Sequence, residues 1–308
     1  MMKRAGCEAL TAWAKRPQGS NSHRPPAFLQ VAIALTCLVG LLSAALAQEN
    51  KKLKPEELIA RHLDSIGSAE ARAAAKTRVA SGSIKLVSRI GQAGNLSGDA
   101  MMVSAGPKLR YGMNFPAPEY PGEQMAFNGS RAATGFLPNG VRSNLSQFLN
   151  QQDLPLREGL IGGVLSTAWP LLRLEQTQPR LEYHGLKKVD GRQLHELGYR
   201  PRKGSSDLKV LLYFDPDTLR HVRTQYNFEI GARLGLGPNE SPKQQESHYV
   251  LTEDFDDFRP VDGLTLPHKY KLQLSVQTAT GTLLNDWTFA VSRVSHKETF
   301  DEQIFTMK

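Results

Sequence analysis

The residues that could carry out chemistry in this chain are few and poorly grouped. A Gly-x-Ser-x-Gly nucleophile elbow and a Walker loop are both absent. Gly235-Leu236-Gly237 sits between Gly231 and Pro238 without the third glycine and following helix of a dinucleotide site, and reads as a flexible loop. Past the N-terminal fifty residues the histidines are His62, His184, His195, His221, His248, His268 and His296. None is spaced from another as a helical or hairpin metal pair, so scattered surface and strand histidines are expected. Glu253, Asp254, Asp256 and Asp257 form the one acidic cluster. Several carboxylates would suit a hard cation such as calcium, but the spacing is not that of an EF-hand and Phe255 and Phe258 interrupt it. A solvated strand end is expected. No cofactor and no metal are implied, and a hydrolase would need a nucleophile and base that the sequence does not offer together.

The apolar residues say more. Leu154 to Leu174 lacks alternation and reads as helical, with Leu156, Leu160, Ile161, Val164, Leu165, Ala168, Leu171 and Leu172 wrapping most of the way round. Gly162-Gly163 and Trp169-Pro170 should break or kink it. A helix apolar on nearly every side must be buried or face an apolar ligand. Leu160, Ile161, Val164, Leu165, Trp169, Leu171 and Leu172 are therefore candidate lid residues, with plain core packing as the competing role. Tyr111, Met113 and Phe115, on one face of an early strand, are candidates for the wall opposite. Met101, Met102 and Met125 read first as strand packing.

These residues must be positioned by a mainly β fold. Leu109, Tyr111, Met113 and Phe115 alternate with Lys108, Arg110 and Asn114, and Leu272, Leu274 and Val276 alternate with Lys271, Gln273 and Ser275. Ile84, Leu86 and Ile90, and later Trp287, Phe289 and Val291, show the same period of two. Such strands have one apolar and one wetted face, as in an antiparallel sheet. Asn128-Gly129, Asn139-Gly140, Asp190-Gly191 and Asp262-Gly263 are hairpin signals, and Asp215-Pro216-Asp217-Thr218 is a tight turn. About nine to eleven strands result. A helix opens the globular part: Pro55, Glu56 and Glu57 suit a first turn, Leu58, Ile59, His62, Leu63 and Ile66 form a stripe, and Gly67 stops it. Ala69 to Ala75 can extend it as a second short helix. A curved antiparallel sheet, a half-barrel covered by the N-terminal helix and the mid-chain apolar helix, accounts for these elements.

The first 47 residues read as a signal peptide. Lys3, Arg4, Lys15, Arg16 and Arg24 precede an apolar run from Phe28 to Leu46, which ends in Ala45-Leu46-Ala47. Cleavage after Ala47 is expected, giving a single domain over 48–308, exported or periplasmic. The alternative is an uncleaved segment anchoring the chain in the inner membrane. Both cysteines, Cys7 and Cys37, fall in the leader, so the remainder has neither thiol chemistry nor disulfides. Of the formal +8, the leader carries +4 (five basic residues against Glu8), leaving +4 for the rest, which points to no nucleic-acid partner.

The order of features resembles the LolA/LolB-type carriers, the outer membrane lipoprotein-sorting group. The likeness is carried by Ser65-Ile66-Gly67 closing the first helix, Gly82-Ser83-Ile84, Arg157-Glu158-Gly159-Leu160-Ile161-Gly162-Gly163, and Lys188-Val189-Asp190-Gly191-Arg192. Tyr213-Phe214-Asp215-Pro216-Asp217-Thr218 with Arg220, and Phe258-Arg259-Pro260-Val261-Asp262-Gly263-Leu264-Thr265-Leu266-Pro267, complete it. The resemblance implies an open half-barrel lidded by helices, whose cavity takes acyl chains. The family's known carrier has an arginine just before the proline that opens an early strand, where it helps latch the lid. Here that place reads Ser104-Ala105-Gly106-Pro107, with Arg110 three residues beyond, so the latch the resemblance would imply is missing. The function expected is a monomeric, non-enzymatic carrier or sensor for an apolar or lipidated ligand, with a cell-envelope protein as a possible partner. A partner-binding envelope domain with a filled core is the alternative.

Overall fold

A computed structural model describes residues 53–89, 94–202, 207–230 and 246–307. The expected signal peptide, with Ala45, Ala47 and both cysteines, and the Gly235-Leu236-Gly237 loop lie outside the described residues.

Helix α1 (Pro55–Ile66) has proline in its first turn, Glu56 and Glu57 at its positive end, and buries Leu58, Ile59, His62 and Ile66. Ser68 then caps α2 (Ala69–Ala74), its hydroxyl accepting from the Ala71 amide. Twelve strands follow: β1 (Thr77–Ser88), β2 (Asn95–Ala105), β3 (Lys108–Asn114), β4 (Gly122–Phe127), β5 (Ala132–Thr134), β6 (Arg180–Val189), β7 (Arg192–Arg200), β8 (Lys209–Phe214), β9 (His221–Ile230), β10 (Ser247–Val261), β11 (Leu264–Thr278) and β12 (Gly281–Ser295). They make one sheet in the order β5-β4-β3-β2-β1-β12-β11-β10-β9-β8-β7-β6, curved and unclosed, and every pairing is antiparallel. The half-barrel read from the alternation is thus present, with a short extra strand, β5, that carries no alternating signal.

Register follows the apolar period. Leu86 faces Trp287 and Ile84 faces Phe289 between β1 and β12, and Leu272 faces Trp287 between β11 and β12. These side chains share the concave face and are almost fully buried. The hairpins β6–β7 and β10–β11 turn through Asp190-Gly191 (φ 47° and 84°) and Asp262-Gly263 (φ 50° and 79°). Positive φ at both central residues matches the strand twist, and Asp and Gly tolerate it. In the β8–β9 connection Asp215 Oδ1 accepts from the Asp217 and Thr218 amides and from the Thr218 hydroxyl.

One edge, β5, is three residues long and sits against α3 (Asn144–Gln151). The carboxylate of Glu123 on β4 accepts from Ser146 Oγ of this helix at 2.9 Å and from Tyr120 Oη at 2.6 Å. The other edge, β6, is ten residues long, carries Lys187 and Lys188 exposed, and is irregular against β7 between Tyr183 and Gly185. Among the described residues no helix is long and apolar enough to cross a membrane.

Candidate functional site

The concavity of the sheet is occupied by the chain itself. Residues 154–174 contain one helical turn (Leu154–Arg157) and two 3-10 turns (Gly163–Leu165 and Pro170–Arg173), not one continuous helix. The break expected at the glycines and proline is there, and its cause is local. Gly159, Gly162 and Gly163 have φ of 72°, 81° and 47°. A Cβ on Gly159 would lie 2.2 Å from the Ala168 carbonyl oxygen, so the fold of the segment on itself needs that glycine. Leu160, Ile161, Val164, Leu165, Trp169 and Leu171 are buried; Leu172 is half-buried. Tyr111 and Met113 from β3, and Phe115 just after it, are buried in the same core. The ten candidate lid and wall residues therefore meet in or against one apolar body.

This body is tied down by polar groups at its heart (Glu253 through Trp169), each from a different part of the fold. Glu253 on β10 accepts from the Gly162 amide at 2.7 Å and from the hydroxyls of Tyr270 and Tyr226, both at 2.6 Å. Ser104 Oγ on β2 accepts from the Thr167 amide at 2.9 Å, and the Gly106 carbonyl accepts from Thr167 Oγ1 at 3.2 Å. Arg78 on β1 donates through Nη1 to the Val164 carbonyl. Trp169 Nε1 donates to His62 Nε2 on α1 at 3.2 Å. The absent arginine before Pro107 consequently does not leave the segment untied. The carbonyl at that very place, Gly106, holds Thr167, and the guanidinium comes from β1 instead.

Burial sets the protonation of these groups. His62 Nδ1 lies 3.1 Å from the Leu219 carbonyl, so the neutral ring with its proton on Nδ1 donates there and accepts from Trp169. Desolvation lowers its pKa to about 4. His221 is likewise pushed well down by burial; its Nε2 pairs with Thr224 Oγ1 at 2.9 Å, and Trp169 stacks on its ring with centroids 4.5 Å apart. Glu253 is raised by burial to about 7, although its hydrogen bonds pull the other way. Tyr226 and Tyr270 are held well above the usual phenol range, chiefly by burial, and stay donors.

His62, in the apolar stripe of α1, and His221, at the start of β9, lie inside the core with their rings 6.2 Å apart. One expectation is corrected here. Glu253 does not belong to a solvated strand end; it is fully buried, while Asp254 pairs outward with Arg223 at 2.6 Å and Asp257 with Arg259. The signal for Glu253 was its parity. Leu251, Glu253 and Phe255 share one face of β10, and Asp254 and Asp256 share the other. His62 lay in plain view within the apolar stripe of α1, but its approach to His221 is made only by the tertiary fold.

A carboxylic acid with pKa near 7 could in principle exchange protons with a substrate. Here both oxygens are engaged by structural donors. The wide hollows of the described surface, about 840 Å³ along β6–β8 and about 790 Å³ on the outer face of β1–β4, are lined by other residues. Among the described residues no three His, Cys, Asp or Glu side chains converge as metal ligands. The arrangement holds a segment in place. Among the described residues Tyr111 Oη is buried in this core without a partner, as are Arg78 Nε and His221 Nδ1. Tyr111→Phe should therefore be neutral or raise stability by up to about 1 kcal/mol, read from the urea midpoint.

No protein-family model and no curated protein matches the chain. Among solved structures it is similar to a LolA superfamily protein from Nitrosomonas europaea (12% identity, 82% of this chain and 97% of that one, TM-score 0.40). It is similar also to an outer membrane lipoprotein-sorting protein domain from Vibrio parahaemolyticus (12% identity, 80% and 97%, TM-score 0.41). A DUF1329 family protein from Desulfovibrio piger is a third (10% identity, 82% and 96%, TM-score 0.36). The group whose motifs the sequence resembles thus recurs among the structures this chain is similar to, while the fold itself stands on the chain's own strand order and register.

Proposed function

We propose that this protein is an exported, non-enzymatic carrier or sensor for an apolar or lipidated ligand, and that residues 154–174 fill the half-barrel until the ligand displaces them. The observation that carries this reading is the construction of the filler. Many cores are closed by regular elements and mostly apolar contacts. This one is an irregular, glycine-jointed segment whose position depends on buried polar bonds from Glu253, Ser104, Arg78 and His62. Buried polar ties specify position more than they add stability, and they come undone together once one partner moves.

Binding on this scheme exchanges one apolar filler for another. Leu154, Leu156, Leu160, Ile161, Val164, Leu165, Trp169 and Leu171 are buried; at roughly 1.5–3 kcal/mol each they are matched only by about fifteen to thirty methylenes at about 0.8 kcal/mol each. Long-chain ligands should therefore bind and short ones should not. A second reading is favoured by the complete burial of Leu160, Ile161, Leu165 and Trp169: a partner-binding envelope domain whose core is permanently filled.

A disulfide staple separates the two. With Cys7 and Cys37 changed to serine, Ser104→Cys puts a thiol where a hydroxyl now lies 2.9 Å from the main-chain amide of residue 167, and Thr167→Cys puts the second thiol on that same residue. Under oxidation the segment is locked; under reduction it is free. The carrier reading expects the uncharged fluorophore Nile red to bind the reduced protein and to lose at least nine-tenths of its signal on oxidation. Equal silence in both states points to the filled core.

A further inference from the structure

We propose that the crevice between α1, α2 and residues 167–173 is an anion-binding site, shaped for the phosphate or carboxylate group of an amphiphile or for the free ion. The crevice has a volume of about 330 Å³ and is walled by Arg72, Lys76, Arg78 and Arg173, with no aspartate or glutamate in its lining. Arg78 is only 2% exposed. Among the described residues the Nε atoms of Arg78 and of Arg173 are each buried without an acceptor. Their remaining bonds are to main chain: Arg78 Nη1 to the Val164 carbonyl and Arg173 Nη2 to the Ala168 carbonyl at 3.0 Å. Arg72 Nη1 likewise serves the Leu63 and Gly67 carbonyls at the end of α1. Carbonyl oxygens satisfy donors but do not neutralise charge.

Of the acids nearby, Asp64 is 3.9 Å from Arg72 with its side chain 82% exposed, and Asp262 pairs with His296 at 3.1 Å. Glu158 accepts from Tyr199 Oη at 2.8 Å and its charge acts on Arg173, so Arg78 is the guanidinium left without a counter-charge among the described residues. Glu70 on α2 is at the surface. An unpaired guanidinium in a dry wall is a heavy cost for a fold, and an oxyanion seated between two forked donors removes it. Burial already lowers Arg78 to about 10, the direction expected for a cation short of a partner. Beside the charged wall stand Leu63, Ile66, Leu172 and Leu264. A site with guanidinium groups on one side and leucines on the other fits a head and the first carbons of a chain. The inference does not depend on the half-barrel opening.

Calorimetric titration of the full chain tests it, with dodecyl phosphate, inorganic phosphate and uncharged dodecyl maltoside as probes. The variants are Arg173→Gln and Lys76→Gln, singly and together, since Arg78→Gln risks the fold through Val164. The expected result is saturable binding of dodecyl phosphate, weakened by salt and at least about tenfold weaker in the double variant, the loss that one charge-assisted hydrogen bond represents. Dodecyl maltoside should not compete. If inorganic phosphate binds with the same sensitivity to the variants, the free ion is a sufficient ligand; if only dodecyl phosphate binds, the source is an amphiphile's head. Failure of both anions to bind the wild type, or equal binding by the double variant, overturns the site. Nile red binding, which reads the half-barrel, should be unchanged in Lys76→Gln, whose residue lies outside the 154–174 segment, so the two readings fail separately.

Discussion

Shortening Trp169 to alanine should cost about 3–5 kcal/mol of stability, the range for emptying a large aromatic site in a packed core. Three things are lost together. The indole fills space between α1 and the sheet at 0% exposure. It stacks on His221 at 4.5 Å. Its Nε1 proton is what His62 Nε2 accepts, and that acceptor would be left buried and unpaired. Trp169→Phe isolates the last loss: most of the packing stays while the hydrogen bond goes, for a cost of about 1–3 kcal/mol. Urea unfolding of both variants checks the order. An alanine variant within 1 kcal/mol of wild type would show that the segment contributes little to the fold.

The second large effect is in the pH dependence, where two buried groups act in opposite directions. Glu253 has its folded pKa raised to about 7 from 4.5, so the folded state holds the proton more tightly. Its contribution is fully present below pH 4.5 and is lost as pH rises through 7. His62 has its folded pKa lowered to about 4 from 6.5. Its contribution is present above pH 6.5 and is lost as pH falls through 4. Each displacement corresponds to about 3 kcal/mol. Between pH 4.5 and 6.5 the two slopes largely offset each other, with His221 adding to the acid side. Glu253→Gln keeps the shape and removes one of them; the Tyr226 hydroxyl can turn from donor to acceptor. On acidification from pH 8 to 4.5 this variant should lose about 3 kcal/mol more than wild type. Parallel profiles of urea midpoint against pH would sink the linkage. The two groups hold different parts of the segment, Glu253 at Gly162 and His62 at Trp169. Acid therefore removes the acceptor that holds Trp169, whereas alkali charges a buried carboxyl that keeps its bond from Gly162.

Much of the fold could be read from the chain because period and turn chemistry agreed. The strands from Lys108, Leu264 and Gly281 alternate cleanly, and Asp190-Gly191 and Asp262-Gly263 mark hairpins whose dihedrals leave little other choice of residue. Helix α1 ends where Gly67 ends it. Helix α3 was not legible. Asn144, Ser146, Gln147, Asn150 and Gln151 leave its stripe only Leu145, Phe148 and Leu149, and the one local cue is Ser143, whose hydroxyl caps the Ser146 amide at 3.0 Å. The lid residues were named from composition, yet nothing local shows that Glu253, 91 positions away, receives the Gly162 amide. Polar ties of this kind join residues that share no period and no turn, and only the assembled sheet brings them within reach.

The sheet leaves its two ends free, and they are unlike. β5 is too short to template a partner and has α3 beside it. β6 offers ten residues of backbone, enough for a passing chain to add a strand. Against that, its irregular pairing near Gly185, where φ is 89°, bends the exposed ladder, and Lys187 and Lys188 would confront a like pair on any second copy aligned there. Edge-to-edge stacking into a fibre thus meets both a geometric and an electrostatic obstacle. A protein with an open-ended sheet can in this way be kept at high concentration without closing its barrel.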